Sequence, residues 1–117
     1  IDIDVQPPGK AVQNITLFSG GEKALIAISC LFAILRVRPV PMCILDEVEA
    51  ALDVANVERF AKYLKEFSSE TQFIVVTHRE GTMEECALLY GATMQQKGVT
   101  KLVSVKLKDA IDLAQTA

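Results

Sequence analysis

The 117-residue chain has no tryptophan, one histidine and three cysteines, and each scarcity narrows what it can be. The cysteine count is odd and no CxxC pair occurs, so the sequence predicts reduced, packed thiols rather than a disulfide framework. The three cysteines and His78 also lack the paired spacing of zinc ligands, so we do not expect a zinc site.

The chain also lacks a long apolar run and a net positive charge. The longest apolar run, Ala24–Leu35, is interrupted by Ser29 and is followed by Arg36. A membrane-spanning helix needs about 20 apolar residues, so no membrane partner is expected. No secretory signal opens the chain, and we expect a cytoplasmic protein. The net charge of −3 gives no support for an electrostatic grip on nucleic acid by this segment.

What the chain has in abundance is aliphatic residues, which suit buried strands covered by helices. Two short apolar runs, Met42–Leu45 and Gln72–Thr77, predict buried strands that end in polar residues. Between them, Asn56–Phe67 carries apolar residues at helical spacing. The order strand, helix, strand predicts an α/β fold with parallel central strands and right-handed crossover helices.

Shorter elements are predicted on either side of this unit. The first is a half-exposed strand at the beginning of the chain, and the last is a β-hairpin that turns near Lys97-Gly98. These predictions cover a strand at Ile1–Val5, mixed apolar residues at Val12–Phe18, a short helix at Thr82–Leu88, and hairpin strands at Leu89–Gln95 and Lys101–Leu107.

The segment Ser19-Gly-Gly-Glu22 predicts the start of a helix. Ser19 can cap the backbone N–H three residues on, and Glu22 can reach back to form a capping box. The two glycines allow an anion to approach the free N–H groups at the helix start. The alternative is a capped helix with a flexible entry and no ligand.

Acidic and basic side chains follow the two predicted buried strands. Asp46 could hold Mg²⁺ through its water shell, because Mg²⁺ takes few carboxylates and several waters. Glu47 could orient and deprotonate an attacking water. His78 follows the next strand and therefore belongs to the same edge, where parallel sheets bind ligands. The alternative for the acids is a helix start or a solvated turn.

Taken in order, these segments resemble the signature motif, Walker B, D-loop and switch histidine of ABC-type ATPases. Longer stretches narrow the resemblance to the C-terminal lobe of the ATPase head of bacterial SMC proteins. They are Gln6–Lys10, Leu45–Asp53, Gln72–Arg79, Gly81–Met83, Tyr90–Met94 and Val103–Leu107. The chain departs from that family's usual pattern at Phe18, where leucine is common, and at Glu49, where many members carry aspartate.

The resemblance implies that residues 1–117 form one piece of a P-loop (ABC-type) NTPase head, its C-terminal half, with a C-terminal β-hairpin. ATP and Mg²⁺ are the implied cofactors. The implied catalytic residues are Glu47 as general base and His78 at the γ-phosphate, and Asp46 is the metal ligand. The implied nucleotide-binding residues, which would meet the ATP of an opposing head, are Ser19, Gly20, Gly21, Glu22 and Asp53; for Glu22, capping alone is the alternative.

The phosphate-binding motif GxxxxGK[ST] does not occur in the sequence; Gly9-Lys10 lacks its spacing and its hydroxyl. We therefore expect the chain to be a fragment that hydrolyses no ATP by itself. Its implied partners are the N-terminal lobe of the same head, a second head that completes a homodimer around ATP, the winged-helix domain of a kleisin subunit, and DNA through the full complex. The implied role is chromosome condensation and segregation at the nucleoid.

Two other readings are of a different kind. The chain could act as an interaction module that docks a kleisin subunit without catalysis, and a nucleotide titration of the fragment would separate this from the enzymatic reading. An ABC transporter subunit is disfavoured by the SMC-like segments Gly81–Met83 and Tyr90–Leu107.

Overall fold

The computed structural model describes residues 3–11, 13–14, 18–109 and 112. Parts of the predicted segments Ile1–Val5 and Val12–Phe18 therefore lie outside the described residues. The elements in chain order are β1 (Asp4–Val5), β2 (Gln13–Asn14), α1 (Gly20–Val37), β3 (Met42–Asp46), α2 (Val54–Phe67), β4 (Gln72–Val76), α3 (Glu80–Met83), β5 (Tyr90–Gln96) and β6 (Val99–Ser104).

The centre of the fold is a parallel pair of strands, β3 and β4. Their register runs from Met42 opposite Gln72 to Asp46 opposite Val76. The backbone N–H of Glu47 donates to the Val76 carbonyl over 2.9 Å and prolongs the pairing by one residue. The predicted parallel strands are confirmed, and their carboxyl ends lie side by side. The handedness of the connection through α2 remains a prediction.

One face of this pair is covered by α1 and α2. Leu45 on β3 is only 5% exposed, and the ring of Phe32 on α1 lies 5.1–6.2 Å from three aromatic rings of α2. α1 ends at Val37, just before Pro39, because proline cannot continue a helix. The core that results contains Ile28, Phe32, Leu35, Leu45, Leu52, Val57, Phe60 and Leu64.

The opposite face of β3 and β4 is apolar and exposed within the described residues. Ile44 is 64% exposed and its register partner Ile74 is 45% exposed, and Met42 and Val76 on the same face are also exposed. Parallel sheets are normally covered on both faces, so this face has the composition of a buried surface without a covering layer here.

Two antiparallel pairs complete the described structure. β1 pairs with β2, and β5 pairs with β6, which confirms the predicted C-terminal hairpin. The hairpin turns at Gly98, whose φ of +81° is readily adopted only by glycine. The ends of β5 and β6 differ from the predicted strand ends by one to three residues. Just beyond both strands, the N–H of Val105 donates to the Leu89 carbonyl.

The predicted bounds of two helices were wrong. α2 begins at Val54, not Asn56, because Asp53 caps it. α3 spans Glu80–Met83, whereas Thr82–Leu88 was predicted. A Cβ on Gly81 would lie 3.3 Å from Val57 Cγ1, so the close contact between α3 and α2 favours glycine at this position. No helix within the described ranges is long and apolar enough to cross a membrane.

Candidate functional site

The carboxyl edge of the parallel pair brings Glu47 and His78 together. Glu47 directly follows β3 and His78 lies two residues after β4. Glu47 Oε1 and His78 Nδ1 are 3.3 Å apart, and both side chains are more than half exposed. Asp46 is also exposed and shares its face of the sheet with Ile44 and Val76, as their register positions show. A carboxylate and an imidazole in contact at an open edge are suited to accepting and holding a proton.

The backbone of Glu47 is in an unusual conformation. Its φ of +48° lies in the left-handed region, which costs a residue other than glycine about 1–2 kcal/mol. The conformation is held from both sides, since the N–H of Glu47 donates to Val76 and its carbonyl accepts from the N–H of Ala50 over 3.1 Å. Strain of this kind persists only where the surroundings fix it, and it concentrates at functional sites.

A capped helix start forms the second part of the site. Ser19 Oγ accepts the N–H of Glu22 over 3.3 Å, and Glu22 Oε1 accepts the N–H of Ser19 over 3.4 Å, so the predicted capping box is confirmed. Lys10 Nζ donates to Glu22 Oε2 over 3.0 Å. The hydrogen bond from Lys10, followed by those from Ser19, lowers the pKa of Glu22. Glu22 Oε1 thus holds the helix start, and Glu22 Oε2 ties it to Lys10.

The two glycines of this helix start have different surroundings. A Cβ on Gly20 would meet nothing within 4 Å, whereas a Cβ on Gly21 would lie 3.1 Å from the Ala51 carbonyl oxygen. Gly21 therefore packs against the loop between β3 and α2, and Gly20 borders open space. The structure in this way joins the helix start to the loop that begins at Glu47.

Asp53 ends that loop and caps α2. Its Oδ1 accepts the N–H of Asn56 over 2.8 Å, a contact that the sequence analysis did not foresee. The signal was present, because aspartate is among the preferred residues immediately before a helix. The proposed reach of Asp53 to an opposing head stays a prediction.

Sequence reasoning missed a buried carboxylate beneath the site. Glu49 is 1% exposed, and its Oε1 accepts hydrogen bonds from Thr77 Oγ1 and, over 2.9 Å, from Thr82 Oγ1. Its Oε2 is buried and has no hydrogen-bond partner among the described residues. Thr77 Oγ1 in turn accepts the N–H of Arg79 over 3.0 Å.

Arg79 forms a second unforeseen link. Its guanidinium donates to the carbonyl oxygens of Ala50 over 3.4 Å and Leu52 over 3.1 Å. These two residues flank Ala51, the residue against which Gly21 packs. Arg79, which directly follows His78, thus holds the loop that links Glu47 to α2.

The fit of a metal can be judged from the donors at this edge. Within the described ranges, no group of three or more His, Cys, Asp or Glu side chains could hold a metal ion. A closed transition-metal site is therefore not formed by these residues. Mg²⁺ keeps several waters and takes one or two carboxylates, and the exposed Asp46 is suited to that kind of ligation.

Comparison with known proteins gives consistent matches. The family model described as "RecF/RecN/SMC N terminal domain" matches residues 10–101. The chromosome partition protein Smc of Bacillus subtilis is 64% identical over 115 residues, which are 98% of this chain and 10% of that protein.

Two solved structures are similar to this chain in fold and sequence. One, from work on ATP-driven dimerisation and DNA-stimulated activation of SMC ATPases, has a TM-score of 0.86 and 42% identity, covering 98% of this chain and 71% of that one. The other, an SMC head bound to the C-terminal winged-helix domain of ScpA, has a TM-score of 0.82 and 45% identity, covering 92% of this chain and 33% of that one.

The chain spans about a tenth of the length of the curated relatives it matches. Its match to the family model nevertheless extends over most of its own residues, through α1, β3, α2 and β4 and into β6. By sequence and by fold, the chain belongs to the RecF/RecN/SMC N-terminal domain family.

Proposed function

We propose that this chain is the C-terminal half of an SMC-type ATPase head, which holds ATP and Mg²⁺ between two heads and thereby drives chromosome condensation and segregation. The observation that carries the proposal is the contact of Glu47 with His78 at the carboxyl edge of β3 and β4. The capped helix start at Ser19 is packed against the adjoining loop through Gly21.

The missing half of the head accounts for the exposed sheet face. The N-terminal lobe would cover Ile44 and Ile74 and supply the phosphate-binding loop that this sequence lacks. Asp46 shares that face, so its carboxylate would meet Mg²⁺ bound beside the same lobe. The 117 residues alone are then expected to show no ATP turnover.

Within a complete head, the residues of the edge have distinct tasks. Glu47 accepts a proton from the attacking water, and His78 contacts Glu47 through its Nδ1 while its Nε2 remains available to a phosphate oxygen. Bound Mg²⁺ would neutralise phosphate charge. Ser19 and Gly20 border open space at a helix start, which suits a phosphate presented by a second head.

Substitution of Glu47 in the full-length protein tests the proposal. Glu47→Gln keeps the shape of the side chain but removes the proton acceptor, so ATP hydrolysis should fall about 10²- to 10⁴-fold. ATP binding should persist, and gel filtration with ATP should show a trapped dimer. The matched control is Glu66→Gln on the exposed side of α2, which should hydrolyse ATP normally. A Glu47→Gln protein that stays monomeric and hydrolyses ATP normally would contradict the proposed function.

A second function, docking of a kleisin winged-helix domain, is favoured by the hairpin. The exposed face of β5 and β6 carries Tyr90, Met94 and Leu102, which are 60–70% exposed. A related head was solved with the winged-helix domain of ScpA. Leu102→Asp should weaken binding of that domain in calorimetry while leaving ATP hydrolysis by the head unchanged. Unaltered binding would remove the hairpin from the interface.

A further inference from the structure

The exposed pair Glu47 and His78 must be held in place by something other than its own contact. The His78 side chain is 57% exposed, and among the described residues its imidazole makes a polar side-chain contact with Glu47 alone. An exposed imidazole beside an exposed carboxylate gains little from that contact, because water competes with it. The position of His78 therefore depends on how its backbone is anchored.

Both sequence neighbours of His78 are anchored to the loop that carries Glu47. Thr77 donates to the buried Glu49, and Arg79 donates to the carbonyls of Ala50 and Leu52. Thr77 also accepts the N–H of Arg79, so the two anchors are joined to each other. The backbone of His78 is thus fixed on either side to the loop that begins at Glu47.

A glutamate at position 49 is unfavourable for the stability of the fold. Its carboxyl group is almost fully buried, and one of its oxygens has no hydrogen-bond partner among the described residues. Burial of a polar atom without a partner is unfavourable, and apolar residues often replace buried charges without loss of stability. What Glu49 does provide is an acceptor shared by Thr77, at the end of β4, and Thr82, in α3.

We infer that Glu49, Thr77 and Arg79 form a positioning network that sets the geometry of Glu47 and His78. The network reaches the helix start as well, since Arg79 holds the residues on both sides of Ala51, against which Gly21 packs. Within this chain it links the Glu47–His78 edge to the helix start at Ser19. This inference rests on the proposed function, because it concerns the rate of hydrolysis.

The test uses the full-length protein with Thr77→Val, which keeps the shape of the side chain and removes the hydroxyl that serves both hydrogen bonds. Misplacement by about 1 Å can cost about 10²-fold in rate, so kcat should fall about 10- to 100-fold. KM for ATP should stay unchanged, because the phosphate-binding loop that this sequence lacks would belong to the other lobe of the proposed head. Thr77→Ser restores the hydroxyl and should recover most of the loss.

Normal kcat in Thr77→Val, or a loss in Thr77→Ser as large as in Thr77→Val, would overturn the inference. If Thr77→Val does not fold, as judged by thermal unfolding, Arg79→Lys decides, because lysine cannot hold two carbonyls in one planar fork. A lowered kcat in Arg79→Lys supports the network, and a normal kcat refutes it. Glu47→Gln is measured alongside: if it hydrolyses ATP normally, the proposed function has failed rather than the network.

Discussion

The two faces of the β3–β4 pair have similar side chains but different surroundings. Leu45 faces α1 and α2 and is 5% exposed, while the preceding residue, Ile44, points to the other face and is 64% exposed. Both faces are largely apolar, so hydrophobicity alone does not distinguish them. The difference lies in what covers each face, and it indicates that β3 and β4 carry the pattern of a sheet enclosed on both sides.

The site residues also differ in burial. Asp46 lies on the exposed face of β3, whereas Glu49, within the loop that follows β3, is buried. The exposed residues are those that we propose to meet ATP, Mg²⁺ and the second lobe. The buried Glu49 is hydrogen-bonded to Thr77 and Thr82 of the same chain. Within one short segment, chemistry is therefore assigned to exposed residues and positioning to the buried Glu49.

Shortening a side chain on the covered face should lower the free energy of unfolding in the fragment and in the complete head alike. Leu45→Ala leaves a cavity below the helices and should lower the free energy of unfolding by about 2–5 kcal/mol. Denaturant unfolding of the 117-residue chain, followed by circular dichroism, measures it. Glu66→Ala on the exposed side of α2 is the control and should change little. An equally small effect of Leu45→Ala would mean that α1 and α2 do not pack on β3 as described.

The exposed face should respond differently in the fragment and in the complete head. In the 117-residue chain, Ile44→Ala should change the free energy of unfolding by less than about 0.5 kcal/mol, because Ile44 contacts mainly solvent. In a head that includes the N-terminal lobe, the same change should cost about 2–5 kcal/mol. A negligible cost in the complete head would show that this face stays uncovered, and the proposed lobe arrangement would fail.

Thiol labelling gives a smaller, finer contrast. Cys30 lies exposed on α1, while Cys86 is partly buried and donates to the Thr82 carbonyl over 3.3 Å. Burial raises the pKa of Cys86, and the nearby Glu49 and Glu85 carboxylates raise it further. At pH 8 the Cys86 thiolate is therefore scarce, and Cys30 should react first with iodoacetamide. Mass spectrometry of the time course in the 117-residue chain measures the order; faster labelling of Cys86 would contradict its burial.

Local patterns predicted much of the fold. The capping box at Ser19, the parallel strands and the hairpin follow from spacing along the sequence. The Glu49 network does not, because it joins residues 28 and 33 positions apart through contacts that only the packed fold creates. The beginning of α3 was missed for the same reason, because the close approach of Gly81 to Val57 of α2 is a contact that spacing along the sequence does not show. Sequence patterns report local structure, whereas the Glu49 network and the Gly81 contact depend on tertiary packing.

The central proposal, an ATP site shared between two heads, is tested most directly by Ser19→Arg in the full-length protein. Ser19 borders open space at the helix start, and its proposed partner is the γ-phosphate held by the opposing head. An arginine there should prevent close apposition of two heads without affecting the nucleotide site of its own head. Calorimetry should give near-normal ATP affinity, while gel filtration should show no ATP-dependent dimer even in combination with Glu47→Gln. A collapse of ATP affinity in the monomeric head would contradict the proposal, because Ser19 would then belong to the site of its own head.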